Sequence, residues 1–197
     1  MSIESLPPPL NRVNKSDRVR RTLEYGEALF FQDSATAGLF YMISGTIDLK
    51  RATNTGHSVM IHRARSGDTF AEASLFSDTY HCTATAVCDA IVIECKRAAI
   101  SRLLNTDIEF ACSMASRFAT QIQETRHRVE LLSIRAANER ILAALNDGLL
   151  VEDITTFAET IGLAPETVYR TLTQLSKKGH VEKTARGQYQ INTIGPV

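Results

Sequence analysis

The 197-residue sequence has no net charge, no membrane-length apolar run and no cysteine pair in CxxC spacing. Each absence removes a class of function. A membrane helix needs about 20 consecutive apolar residues, and the longest runs fall far short. The first residues also lack the continuous apolar core of a signal peptide. The four cysteines, Cys82, Cys88, Cys95 and Cys112, show no zinc-type spacing. A cytoplasmic, reduced protein with no membrane partner is expected. With 22 Lys+Arg against 22 Asp+Glu, bulk charge gives nucleic acid no purchase, so any such surface must be local. The composition, 44% hydrophobic and 22% charged, is that of a folded chain with one large domain or two small ones.

From Asp107 to about Arg135 there is also no Gly and no Pro. Here Ile108, Ala111, Ala115, Phe118, Ile122, Thr125, Val129 and Leu132 recur at alternating spacings of 3 and 4, the rhythm of a coiled-coil seam. At about 1.5 Å per residue the helix runs roughly 40 Å. A long core helix in a monomer is the competing reading. The seam is narrow, with two alanines and a threonine, so it suits an identical helix from a second chain better than a domain core. Asn105-Thr106-Asp107 is a suitable N-cap cluster. Arg117, Glu124, Arg126, Arg128 and Glu130 lie off the seam and read as a solvated face.

Pro7, Pro8 and Pro9 mark residues 1–20 as a loose leader. From Arg21, short β-type runs alternate with turn residues: Ala28–Phe31, Gly38–Ile43, Thr46–Lys50, Ser58–Ala64, Thr83–Cys88 and Ile91–Cys95. The breakers include Gly26, Ser44-Gly45, Asn54-Thr55-Gly56 and Ser66-Gly67-Asp68. Strands at this spacing predict a small antiparallel sandwich or barrel over residues 21–104. Cys88, Cys95 and Cys112 read as small apolar filler. Adjacent His81 and Cys82 are suitable metal ligands, but neighbours on a strand point to opposite faces. A cupin-like metal enzyme would use His57, His62, His81 and Glu72. No His-x-His pair supports it, and no catalytic activity is expected.

The last sixty residues carry the sharpest local pattern. A helix is predicted over Ala136–Asn146. A second, capped by Thr155 or Thr156, buries Phe157, Ala158 and Ile161. Gly162 allows a sharp turn, and Pro165 opens a third helix at its favoured first position. Val168, Leu172 and Leu175 face inward; Glu166, Tyr169, Arg170 and Thr173 face outward. Lys177-Lys178 suit the negative end of the helix dipole. Val181–Thr184 and Gln188–Ile191 make a wing hairpin. Between Arg170 and Arg186 there are five basic residues against one acid, Glu182. That is a local positive patch on a helix-turn-helix.

Two sets of residues carry a family resemblance. Gly26-Glu27, Gln32, Leu39–Gly45, Gly67-Asp68-Thr69-Phe70 and Glu72-Ala73-Ser74-Leu75-Phe76 resemble the cyclic-nucleotide-binding β-roll of the Crp/Fnr family. Glu166-Thr167-Val168, followed by Arg170, resembles that family's recognition helix. The resemblance implies an α+β chain in four parts. These are a leader (1–20), a double-stranded β-helix or jelly-roll sensor domain (21–104), a dimerisation helix (105–135) and a winged helix-turn-helix DNA-binding domain (136–197). It places a hinge around Ser133–Asn138. It implies a homodimeric transcription regulator whose partners are double-stranded DNA and RNA polymerase.

By the same resemblance Glu166, Tyr169 and Arg170 read bases, while Thr156, Thr167, Lys177 and Lys178 hold phosphates. Pro165 stands where the family often has a polar or basic residue, so one base contact is missing. The effector pocket falls on Ala71, Glu72, Ala73, Cys82 and Thr83. In the family a Glu holds the ribose and an Arg neutralises the phosphate. Glu72 occupies the first position, but Cys82 occupies the second, and no other Arg or Lys lies between Gly67 and Lys96. A cyclic phosphate loses its charge-assisted pair there. The expectation is no cofactor and no cAMP, with a different small effector or none. The iron–sulfur members use several Cys near the N-terminus, and none precedes Cys82 here. Two alternatives remain: a nucleotide-binding signalling module that does not act through DNA, and a thiol- or metal-based redox regulator using Cys82.

Overall fold

The computed structural model describes residues 6–53, 57–150 and 153–192. The turn read at Asn54-Thr55-Gly56 and the first five leader residues lie outside them. The chain divides into two compact units, residues 1–116 and 117–197.

The first unit holds eight strands: β1 (Arg18–Leu23), β2 (Ala28–Phe30), β3 (Gly38–Ser44), β4 (Thr46–Ala52), β5 (Ser58–Arg65), β6 (Thr69–Phe70), β7 (Thr83–Ala86) and β8 (Ala90–Lys96). They form two antiparallel sheets in the orders β1-β8-β3-β6 and β2-β7-β4-β5. This is the expected roll, with β1 and β6 added to the strands read from sequence. Alternation fixes what faces in. On β4, Ile47 and Leu49 are buried, and they stand opposite the small Ala86 and Ala84 of β7. Large against small lets the two sheets close. Aromatic rings occupy the interior: Phe30 stacks on Tyr80 at 3.8 Å between centroids, and Phe40 on Phe70 at 5.3 Å. The Tyr80 hydroxyl donates to the Gly38 carbonyl at 3.1 Å and accepts from the amides of Ala37 and Gly38. A phenol this deep needs such partners.

The leader is not loose in its described part. Leu6, Leu10 and Val13 are buried at 4%, 2% and 1% exposure. They recur at helical spacing through a 3-10 turn, Leu10–Arg12, and a second turn follows at Lys15–Asp17. Arg12 pairs with Asp107 and Glu109, and Arg102 with Asp17. The prolines signalled a break, but the apolar spacing around them decides the outcome. Cys95 is buried as expected, and burial pushes its thiol up to about 12. Cys88 and Cys112 are exposed rather than filler.

After α1 (Arg97–Thr106), Asp107 breaks the helix and starts the next. Its carboxylate accepts from the Phe110 amide at 3.0 Å, so the predicted cap forms. The long helix α2 spans Ile108–Ser133. Its buried residues are Phe110, Met114 and Leu131. The seam lies elsewhere: Ile108, Ile122, Val129 and Leu132 are 78%, 51%, 61% and 39% exposed. Ala115 and Thr125 are also exposed, and Ala111 and Phe118 half-buried. The expected solvated face holds for Glu124, Arg126 and Glu130 but not for Arg117 and Arg128, which are half-buried.

The second unit continues with α3 (Ala137–Asn146), α4 (Ile154–Thr160) and α5 (Pro165–Lys177), then β9 (Val181–Ala185) and β10 (Gln188–Ile191). Ile141, Phe157, Ile161, Val168 and Leu172 form its core. No helix of the described residues is long and apolar enough to cross a membrane.

One buried charge cluster sets the acid limit of the roll. Asp48 is 2% exposed and is held in a fork by Arg63 at 2.6 and 3.1 Å, with Lys50 at 3.3 Å. Burial pushes its carboxyl up, but Arg63 and then Lys50 bring it below the ordinary carboxylate range. A lowered folded value means the contribution is present above the unfolded value of about 3.9 and fades as pH falls through the folded one. Asp48→Asn removes the carboxylate that Arg63 and Lys50 share, with an expected cost of about 3 kcal/mol at neutral pH. Urea unfolding across acid pH should give a shallower loss of stability below pH ~4 for the variant. Parallel wild-type and variant curves would contradict this role.

Candidate functional site

The sequence singles out two places, and each lies within one unit. The first is the face of α5. Asp153 caps α4: its carboxylate accepts from the amides of Thr155 and Thr156 at 2.7 and 2.9 Å. The cap is therefore Asp153 and not Thr155 or Thr156. A carboxylate at that terminus satisfies the free amides more strongly than a hydroxyl does. The Thr156 hydroxyl donates to the same Asp153 at 3.0 Å. Thr156 thus faces a carboxylate, which works against its expected phosphate contact.

The turn between α4 and α5 is close-packed. Gly162 has φ +64, and a Cβ there would meet Leu132 Cδ2 at 2.7 Å. Arg140 of α3 reaches both sides of this turn. It donates to the Ile161 carbonyl at 3.1 Å and, through Nε, to the Ile134 carbonyl at 2.8 Å. One guanidinium thus ties the last turn of α2 to the turn that positions α5. The sequence reading missed Arg140; the available signal is a charged residue directly before Ile141 on a helix with a buried face. Leu132 was read as seam alone, and it also covers Gly162. The expected hinge stretch does separate α2 from α3, and the division into units falls earlier, at Ser116.

On α5, Val168, Thr171, Leu172 and Leu175 are buried, and Glu166, Tyr169, Arg170, Thr173 and Lys177 are exposed. The exposed set recurs at i, i+3, i+4, i+7 and i+11, one stripe along the helix. Among the described residues Glu166, Tyr169 and Arg170 have no side-chain hydrogen bond or ion pair, nor do Lys177 and Lys178. Such groups are free to meet a ligand. Thr167 is half-buried. Pro165 is at the start of α5, as expected. The wing forms as β9 and β10, with Lys183 and Arg186 exposed. Asn192 fastens it to the end of α5 through the Gly179 and His180 carbonyls. Five cations thus gather around α5 and the wing.

The second place is the roll pocket. Ala71 has φ +67, a left-handed conformation that a residue with Cβ adopts at a cost. It opens the 3-10 turn Glu72–Phe76. Glu72 is 7% exposed and its carboxylate accepts from the Thr69 hydroxyl. Ala71 and Cys82 both pack against the roll core. Ala73 is exposed instead. The Thr83 hydroxyl accepts from the Gln32 amide at 3.0 Å. Burial pushes the Cys82 thiol up, and Arg51 opposes that rise. Arg51 is the residue the sequence reading missed here, because it lies far away in the chain.

Residues 20–107 match the family model described as Cyclic nucleotide-binding domain. The nitrogen fixation regulation protein FixK of Azorhizobium caulinodans is 24% identical over 168 residues, covering 78% of this chain and 67% of that protein. The structure of FixK2 from Bradyrhizobium japonicum aligns with a TM-score of 0.67 at 20% identity, over 89% of this chain and 93% of that one. Thermus thermophilus Catabolite Activator Protein aligns with a TM-score of 0.52 at 25% identity, over 90% and 86%.

The turn geometry gives a direct test. Gly148 also has a left-handed φ, +68, but nothing within 4 Å of an added Cβ. Gly148→Ala should cost about 1–2 kcal/mol from backbone strain alone. Gly162→Ala should cost measurably more, because Leu132 must also move. Equal unfolding free energies for the two variants would show that the Leu132 contact carries no weight.

Proposed function

This chain belongs to the Crp/Fnr family, and from that membership we propose that it regulates transcription as a homodimer whose two α5 helices read a near-palindromic DNA site. The observation that carries this reading is the exposed stripe on α5, where Glu166, Tyr169, Arg170 and Lys177 have no side-chain partner among the described residues, flanked by the cations of the wing. Arg170 donates in a fork to guanine, and Glu166 accepts from cytosine N4. Tyr169, 51% exposed, meets a base or sugar beside them. Thr167, Lys177 and Lys178 contact phosphate, which positions without specifying. Pro165 has no N–H to donate, so its place in the half-site goes unread. RNA polymerase is the further partner, and the cytoplasm the location, that such a role requires.

The dimer rests on the α2 seam. Large apolar side chains are costly to leave in water, and a second copy of the helix covers them. Two recognition helices then enter successive major grooves about 34 Å apart. The roll answers to an effector other than cAMP, because uncharged Cys82 stands at the phosphate position.

Arg170→Ala should lose about 1–3 kcal/mol on a site selected from random duplexes, and relax choice at one base pair. Lys177→Ala should weaken all duplexes alike and flatten the salt dependence. Fluorescence anisotropy across salt separates the two; equal loss for Arg170→Ala on selected and random DNA would remove it as a base reader. For the dimer, sedimentation at micromolar concentration should give two chains for the wild type. Ile122→Glu combined with Val129→Glu should give single chains with no tight DNA binding. A wild type that stays single with its duplex present contradicts the arrangement.

A further inference from the structure

Arg128 of α2 is half-buried, and its Nε is shut off from water without an acceptor among the described residues. The rest of its guanidinium has no hydrogen bond or ion pair among them either. Glu124 stands one turn earlier on the same helix, exposed, and does not take it. A buried donor without a partner costs free energy, so its place calls for an acceptor. The heptad of Ile122, Thr125, Val129 and Leu132 shows where one lies. Gln121 and Arg128 fall on one flank of that seam, Arg126 and Ser133 on the other. The flanks are not alike. Gln121 and Arg128 are half-buried, and Met114, one heptad before Gln121, is buried. Arg126 and Ser133 are exposed. The chain covers one flank of its own seam and leaves the other open.

We infer that Arg128 of one chain donates across the seam to Ser133, and to the last carbonyls of α2, in a second copy of this chain. The inference rests on the proposed dimer and names a contact that completes it. Two recognition helices on one duplex require the paired helices to run parallel about a twofold axis. The open flank of each then lies against the covered flank of the other, and Arg128 meets the partner's Ser133 in the next heptad. The two residues cannot meet within one chain, because they point about 140° apart around the helix. Ser133 suits the role. Its hydroxyl donates to the Glu130 carbonyl at 2.6 Å, which leaves its oxygen as an acceptor. It is also the last residue of α2, where carbonyls lack amide partners and the helix dipole is negative. A guanidinium there finds acceptors for several of its N–H groups. The contact closes the seam at the end from which α3 and the DNA-binding elements follow.

A coupling experiment on the full chain tests it, because Ser133→Asp gives the partner's guanidinium a charged acceptor at an exposed position. Sedimentation equilibrium should show the Ser133→Asp dimer about threefold to tenfold tighter than the wild type. In the Arg128→Met background the same substitution should bring no gain, since the negative helix end then repels the carboxylate unopposed. Arg128→Met alone should raise the dissociation constant of the dimer by about tenfold. Its urea midpoint, measured where chains are single, should not fall, because Met fills the place of the stem and removes the unpaired donors. Arg128→Lys should keep part of the coupling. A wild-type dimer in which Ser133→Asp shifts both backgrounds by the same factor overturns the contact. So does an Arg128→Met dimer as tight as the wild type. Wild-type chains that stay single overturn the dimer, and this contact with it.

Discussion

The apolar seam on α2 is the constraint on which the rest of this molecule depends. Ile108, Ile122, Val129 and Leu132 are all substantially exposed in the single chain. Burying each such side chain is worth roughly 1.5–3 kcal/mol. The same helix buries a separate set, Phe110, Met114 and Leu131, against its own chain. Two apolar faces on one helix need two coverings, and the chain supplies one. A partner helix is the covering whose spacing matches, because heptad rows pack against their own repeat. The seam also crosses the division between the two units at Ser116. In the proposed dimer, pairing along it involves residues of both units.

Within the second unit, that constraint reaches α5 through a short chain of contacts. Leu132 lies over Gly162, and Arg140 bonds to carbonyls on either side of the joint. His127 adds a contact from α2 to Asp147, at the end of α3, at 2.8 Å. Backbone carbonyls are fixed acceptors, so a guanidinium that holds two of them restricts the turn more than a flexible side-chain pair would. The helix α5 is therefore oriented by packing against its neighbours, and the side chains of its exposed stripe take no part in that packing. Structural and recognition roles fall on different residues.

Much of this was legible because it repeats. Heptad spacing gave α2 to within a residue or two at each end. Alternation and turn residues gave six strands of the roll. The Pro165 start and the inward Val168, Leu172 and Leu175 gave α5 and its outward face. What stayed hidden was non-periodic. The leader packs because Leu6, Leu10 and Val13 find a surface, and three prolines mask that spacing. Asp153, not the neighbouring threonines, caps α4, because an ionised acceptor outcompetes a hydroxyl for the same amides. Arg51 of β4 opposes the burial-driven rise of the Cys82 thiol, and a search limited to nearby sequence misses it.

The zero net charge and the DNA reading are compatible for an electrostatic reason. Screening at physiological salt confines a charge's influence to about 8 Å, so a duplex responds to the face it meets and not to the total. Several acids of the first unit are paired: Asp48 with Arg63, Glu94 with Arg21, Asp107 with Arg12. In the second unit Asp153 is engaged at the start of α4, where it caps that helix. In the proposed complex its position works against an anion at that helix terminus and leaves phosphate contact to the other end of α5 and the wing, where Lys177, Lys178, Lys183 and Arg186 lie. In the proposed complex the helix end and wing hold the duplex, and the first turns of α5 are left to the bases.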